Sequence, residues 1–252
     1  MIDITNLTRE GKMFMLAYDQ GLEHGPEDFN EFNVEPENIL ELAVQGGATC
    51  VAFQKGVAEK YYVDSKYETQ IPLVIKANGK TSFIKDAPYS PLLCTVDEAI
   101  ELGANAIGYT VYVGSTRQDE MFREFADLVR EAHKRDLPVI GWMYPRSSLI
   151  PEETVNVTAY AARVGLELGA DIVKVKPHKD LGGMKWIVKC AGRAEVVFQG
   201  GNKTDENEFL EQVKIDLLAG STGLAVGRNV WQDKNPLLLC NKVRSLIWDK
   251  TL

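Results

Sequence analysis

The chain has little of what would tie it to a membrane, a metal or a nucleic acid. No apolar run approaches the ~18 residues that a bilayer-spanning helix requires. The segment Met1-Ile2-Asp3-Ile4-Thr5-Asn6-Leu7-Thr8 has neither the basic nor the apolar region of a secretory signal, which predicts a cytoplasmic protein. There are four cysteines, Cys50, Cys94, Cys190 and Cys240, too far apart for a CxxC or Cys/His cluster, so free thiols are expected rather than disulfides or zinc. The three histidines, His24, His133 and His178, are scattered and have no metal-ligand spacing, so no metal and no cofactor are expected. Positive charge is in deficit: 28 Lys and Arg against 36 Asp and Glu give a net charge of −8. That argues against nucleic acid or an anionic membrane as partner. A small anionic substrate would need a local positive pocket within an acidic surface.

What the chain does have is a repeat of pattern. Short apolar runs alternate with longer stretches of helical period, and glycine or polar residues punctuate the joins. Strands are expected at 13–19, 50–54, 72–79, 106–112, 138–145, 170–177, 194–201 and 223–229. Helices fall between them, the one near 96 announced by a capping box, Thr95-Val96-Asp97-Glu98. Eight such units imply a parallel sheet with right-handed crossovers, and the count predicts an α/β (β/α)₈ TIM barrel spanning 1–252 as a single domain. A doubly wound open sheet is the alternative; it usually has fewer strands and a glycine-rich turn after the first, whereas here the glycine pairs come late.

The run Ala170-Asp171-Ile172-Val173-Lys174-Val175-Lys176-Pro177 is where chemistry is most concentrated. Strand side chains alternate, so Lys174 and Lys176 share one face. Two lysines on a buried strand are costly unless that face opens into a polar site. Each lowers the basicity of the other, and a neutral lysine amine attacks ketones to give a Schiff base. In a barrel the active site lies at the C-terminal strand ends. Polar residues recur there: Asp19, with Glu23 and His24 in its loop; Lys76 through Lys80; Trp142, Tyr144 and Arg146, which share parity; and Lys176. Gly200-Gly201 and Gly227-Arg228 end strands 7 and 8, where such barrels bind phosphate through close backbone approach, with Arg228 as a charged donor. His133, among charged residues, is expected to be merely solvated, and His178 to belong to a loop. His24 is better placed, though it suits a loop brace equally, and Trp142 suits plain core packing.

Taken together, these residues resemble the archaeal-type class I fructose-1,6-bisphosphate aldolases over nearly the whole chain. The likeness is densest at 16–26 (Leu-Ala-Tyr-Asp-Gln-Gly-Leu-Glu-His-Gly-Pro), Phe53-Gln54-Lys55-Gly56, Trp142-Met143-Tyr144-Pro145-Arg146, Val173-Lys174-Val175-Lys176 and Ala225-Val226-Gly227-Arg228-Asn229-Val230-Trp231. The resemblance implies a metal-independent (β/α)₈ enzyme that cleaves fructose 1,6-bisphosphate through a lysine imine. By motif position it implies Lys176 as the Schiff-base lysine, Tyr144 as acid/base and Asp19 as the strand-1 carboxylate. Lys174 would keep Lys176 partly neutral. Gly200, Gly201, Gly227 and Arg228 would hold the 1-phosphate, with Arg146 and Lys55 as candidates for the 6-phosphate. It also implies a large homo-oligomer, commonly a decamer of pentamers. Gln20, Gln199 and Ser147 depart from the family pattern and bear on substrate detail rather than on the imine. The rival readings are a lysine-dependent aldolase or transaldolase for another phosphosugar, and a non-catalytic phosphosugar-binding barrel.

Overall fold

Eight parallel strands close on themselves in the computed structural model, which describes residues 2–83 and 88–249. They are β1 (Met13–Tyr18), β2 (Cys50–Gln54), β3 (Leu73–Lys76), β4 (Ala106–Val113), β5 (Val139–Pro145), β6 (Ile172–Val175), β7 (Glu195–Gln199) and β8 (Gly223–Val226). Each pairs with the next in sequence, and β8 returns to β1 in the register Met13↔Gly223, so no edge remains and the open-sheet alternative falls. That closure needs glycine at 223: its φ is +154°, and a Cβ there would lie 1.9 Å from the Met13 carbonyl oxygen.

The helices are α1 (Gly21–His24), α2 (Pro36–Gln45), α3 (Lys55–Tyr61), α4 (Val96–Glu101), α5 (Gln118–His133), α6 (Val155–Glu167), α7 (Leu181–Cys190), α8 (Glu206–Leu218), α9 (Arg228–Trp231) and α10 (Pro236–Arg244). Their starts are written locally. Thr95 and Glu98 form the expected capping box of α4, while the Thr154, Asp180 and Asp205 side chains cap α6, α7 and α8. The longer helices turn an apolar stripe inward. Met121, Phe125, Leu128, Val129 and Ala132 of α5 are all buried against the sheet. Withdrawing one such large side chain fully from water contributes about 1.5–3 kcal/mol.

Two cores result. The larger lies between strands and helices; the smaller fills the lumen with Met13, Met15, Ala17, Cys50, Ala52, Val74, Ala106, Ile140, Ile172, Val197 and Ala225. Trp142 tops this inner stack and is 1% exposed. Its indole lies over Gly108 of β4, where a Cβ would meet the ring at 1.7 Å. Glycine at 108 is therefore what lets the ring lie across the barrel.

Several strands stop sooner than the apolar runs suggest. β3 ends at Lys76 because the Asn78 side chain takes over the pairing: Thr110 N–H donates to its Oδ1 (2.7 Å), and its Nδ2 donates to the Thr110 and Ser90 carbonyls (2.9 Å each). β6 ends at Val175, two residues before Pro177. His133 is not simply solvated: its Nε2 lies 2.9 Å from Asp171 Oδ2, which also accepts from Val139 N–H, so it braces the entry to β5 and β6. His178 sits in the β6–α7 loop, its Nε2 on Thr158 Oγ1 (2.8 Å) and its carbonyl accepting from Gln212 (3.0 Å).

Candidate active site

Strand parity decides what reaches the mouth of the barrel. The inward-facing series on each strand runs from apolar at the bottom to polar at the top: Val74 then Lys76, Ile140 then Trp142 and Tyr144, Ile172 then Lys174, Val197 then Gln199. These tops surround a cavity of about 140 Å³ that opens to solvent at the mouth of the barrel. Asp19, His24, Trp142, Tyr144, Arg146, Lys174, Gly200, Gly201, Gly227 and Arg228 all line it.

Two expected residues do not. Lys176 lies past the end of β6 and leaves the sheet with the chain. Its side chain is 46% exposed, and its Nζ is 2.9 Å from Glu153 Oε2. Parity alone placed both lysines in the site; the early end of the strand separates them, and only Lys174 stays in the lumen. Lys55, at the start of α3, forms an ion pair with Glu98 of α4 at 2.7 Å and lies away from the cavity.

The cation that partners Lys174 is Lys76 of β3. Both ammonium groups stand over the Trp142 indole, at 5.0 Å for Lys174 and 5.5 Å for Lys76 from the ring centroid. Burial lowers the Lys174 pKa to about 8; Lys76 works in the same direction, while the Asp19 and Glu23 carboxylates work against it. Asp19 Oδ2 is 3.7 Å from Lys76 Nζ. The Tyr144 phenol is raised well above its ordinary value by burial, and further by Asp19 and Glu23, so it carries its proton at neutral pH. The site thus holds a lysine with a substantial neutral fraction, a protonated phenol and a carboxylate together.

The other side of the cavity carries the groups that could hold an anion. Asn229, buried after β8, staples the two glycine loops: its Nδ2 donates to the Gly200 and Asn202 carbonyls, and its Oδ1 accepts from Thr204 N–H. Arg228 donates to Asn202 Oδ1 at 2.9 Å and stands 4.0 Å from Asp28, which also holds His24 Nδ1. Trp231 Nε1 donates to the Ala17 carbonyl (3.0 Å) and fixes α9 to β1. Across the mouth, the Arg146 guanidinium lies 5.2 Å from the Tyr112 ring centroid, and the Tyr112 hydroxyl donates to Glu23 (3.2 Å). Glycine N–H groups with Arg228 on one side and Arg146 on the other can receive the two ends of a bis-anionic ligand.

Sequence reasoning gave Lys76 no role. Its signal was the same as that of Lys174, a lysine two residues after a lumen-facing apolar residue, here Val74. Thr110, Gln20 and Gln199 also line the cavity; Gln20 and Gln199 were marked in the sequence only as departures from the family pattern, and Thr110 had no signal. Among the described residues, no group of three or more His, Cys, Asp or Glu side chains is arranged to hold a metal ion.

Comparison with known proteins converges on one chemistry. The DeoC/LacD family aldolase pattern matches residues 13–233. The class 1 fructose-bisphosphate aldolase of Thermoproteus tenax is 47% identical over 244 residues, covering 95% of this chain and 91% of its own. The enzyme of the same name from Halobacterium salinarum is 42% identical over 247 residues, covering 97% and 93%. A solved archaeal fructose-1,6-bisphosphate aldolase, with its catalytic lysine bound covalently to the carbinolamine intermediate of the substrate, superposes with a TM-score of 0.91 at 44% identity over 98% of this chain and 96% of that one.

Proposed function

We infer the reaction from one premise: the chain belongs to the DeoC/LacD family of aldolases. It is a class I fructose-bisphosphate aldolase, which reversibly cleaves fructose 1,6-bisphosphate to dihydroxyacetone phosphate and glyceraldehyde 3-phosphate through a lysine imine. For this chain's own residues, the assignment rests on one observation. Lys174, not Lys176, is the buried lysine of lowered pKa, in a cavity that also holds Tyr144 and Asp19.

We propose the following roles. Neutral Lys174 attacks the C2 ketone to form a carbinolamine. The Tyr144 phenol gives its proton to the departing C2 hydroxyl, which leaves as water, and the iminium remains. The resulting phenolate, strongly basic in its buried setting, takes the C4 hydroxyl proton. The C4 oxygen becomes the aldehyde as the C3–C4 bond breaks, and the bonding pair moves into the iminium to give an enamine. Tyr144 then returns the proton to C3, and water hydrolyses the imine to free Lys174. A positioned acid/base of this kind typically contributes ~10²–10⁴-fold. Lys76 keeps Lys174 partly neutral, and Asp19 holds Lys76 and orients substrate hydroxyls. Gly200, Gly201, Gly227 and Arg228 take the 1-phosphate, Arg146 takes the 6-phosphate, and His24 and Trp142 complete the walls.

Borohydride reduction in the presence of dihydroxyacetone phosphate, followed by peptide mass spectrometry, tests the scheme. An adduct on Lys174 is expected. An adduct on Lys176 would reverse the assignment, and no adduct in protein that binds the phosphosugar would remove the imine mechanism. We propose further that the chain works in the cytoplasm as a homo-oligomer. Its four free thiols suit a reducing compartment. Exposed Tyr160 of α6 and Trp186 of α7 offer apolar surface for self-association, which sedimentation analysis measures directly.

A further inference from the structure

Among the described residues, four buried side-chain polar atoms have no hydrogen-bond partner: Gln20 Nε2, Ser90 Oγ, Trp142 Nε1 and Ser221 Oγ. Gln20 and Trp142 line the catalytic cavity, while the two serines lie outside it. A serine hydroxyl rotates and both donates and accepts, whereas an amide nitrogen or an indole N–H can only donate. A buried donor without an acceptor is costly, and the cost is recovered when a ligand brings an acceptor to it. Two residues of the cavity wall therefore carry unspent neutral N–H donors.

Gln20 is held in place to act as one of them. Its carbonyl accepts from Glu23 N–H (2.9 Å) and His24 N–H (2.8 Å), which fixes its backbone as the start of α1. It follows Asp19, whose carboxylate stands beside Lys76 and next to the reactive amine. The anionic ends of a bisphosphate already have Arg228, Arg146 and the glycine N–H groups. A neutral amide next to the reacting centre matches an uncharged oxygen instead. We infer that Gln20 is a specificity-determining residue, whose Nε2 donates to an uncharged oxygen, keto or hydroxyl, on the carbon chain of the phosphosugar. The inference deepens the aldolase reading and rests on it.

The test compares the wild-type protein with Gln20→Leu and Gln20→Glu. It measures steady-state cleavage of fructose 1,6-bisphosphate, competitive inhibition by inorganic phosphate, and thermal unfolding without ligand. In Gln20→Leu, kcat/KM falls about tenfold or more, the size of one lost hydrogen bond to a desolvated partner. The phosphate inhibition constant stays at the wild-type value. The melting temperature is unchanged or higher, because an unpaired buried donor has gone. Gln20→Glu keeps the size but replaces the donor by an acceptor, and it loses at least as much activity. A Gln20→Leu protein within twofold of wild-type kcat/KM overturns the inference. So does a matching loss of phosphate inhibition, which would put the contact on the anion, or a lowered melting temperature, which would make the role structural. Trapping of dihydroxyacetone phosphate on the wild-type protein separates the two levels. If no adduct forms, the aldolase reading fails and takes the inference with it; if an adduct forms and Gln20→Leu is inert, only the inference fails.

Discussion

Replacing Lys76 by methionine should move the acid limb of the pH–rate profile upward by at least about one unit. The two ammonium groups lie 5.5 and 5.0 Å from the same indole centroid, so they are at most roughly 10 Å apart. At that distance, with an effective dielectric of about 20, two unit charges repel by about 1.7 kcal/mol, which is a little over one pKa unit. Losing Lys76 also frees Asp19 from its 3.7 Å neighbour and leaves its charge to favour the Lys174 ammonium, a shift of the same sign. The Lys174 pKa, now lowered to about 8, therefore rises toward 9 or beyond. Only the neutral amine attacks a ketone, so at pH 7 each unit of rise reduces the reactive fraction about tenfold. The assay is kcat/KM for fructose 1,6-bisphosphate cleavage between pH 6 and pH 10, with Lys76→Arg as the charge-preserving control. An acid limb that stays in place in Lys76→Met, or moves to lower pH, would refute the argument that Lys76 depresses Lys174.

Lys174→Met should abolish the borohydride-trapped adduct. Lys176→Met should retain the adduct and keep kcat/KM within about twofold, because an exposed ion pair such as Lys176–Glu153 is worth at most about 1 kcal/mol; a dead Lys176→Met protein would contradict this. Asp216 of α8 is buried, its carboxylate accepts from the Gln212 amide at 2.9 Å, and burial raises its pKa from 3.8 to about 8. Between those values the folded state keeps a proton that the unfolded chain releases, so stability falls as pH rises through this window. Asp216→Asn should melt above wild type at pH 8, with the gap closing toward pH 4; a lower melting temperature at pH 8 would count against it.

The barrel was legible because a buried parallel sheet writes itself as apolar runs whose parity survives reading. Ile172 and Lys174, or Ile140 and Trp142, declare the same wall without any knowledge of neighbours. The glycine loops were legible because close backbone approach leaves few residue choices at Gly200 and Gly227. Parity does not say where a strand stops. Lys174 and Lys176 carry the same local signal, and the difference between them is made by Pro177 and by Glu153, which comes from 23 residues earlier in the chain. Lys76 was visible as a polar strand end but not as the partner of Lys174, since that pairing runs across the lumen through Trp142. The buried Asp216 had no signal at all: an acid in an amphipathic helix reads as solvated until α8 is packed against the barrel.

The indole lying over Gly108 has a consequence for water. With Trp142 across the barrel and apolar side chains packed beneath it, the lumen has a floor, and the cavity above it opens at the C-terminal strand ends. The water molecule lost when the imine forms leaves by the opening through which the sugar came, and the one that later hydrolyses the imine must return the same way. In the proposed binding mode a bisphosphate spans Arg228 and Arg146 across that opening and narrows it, and cleavage would clear the Arg146 side. The hydrolytic water then has a wider path to the reacting carbon than the water lost in forming the imine had, and the glycine in β4 that lets Trp142 close the lumen from below is what confines both to the mouth.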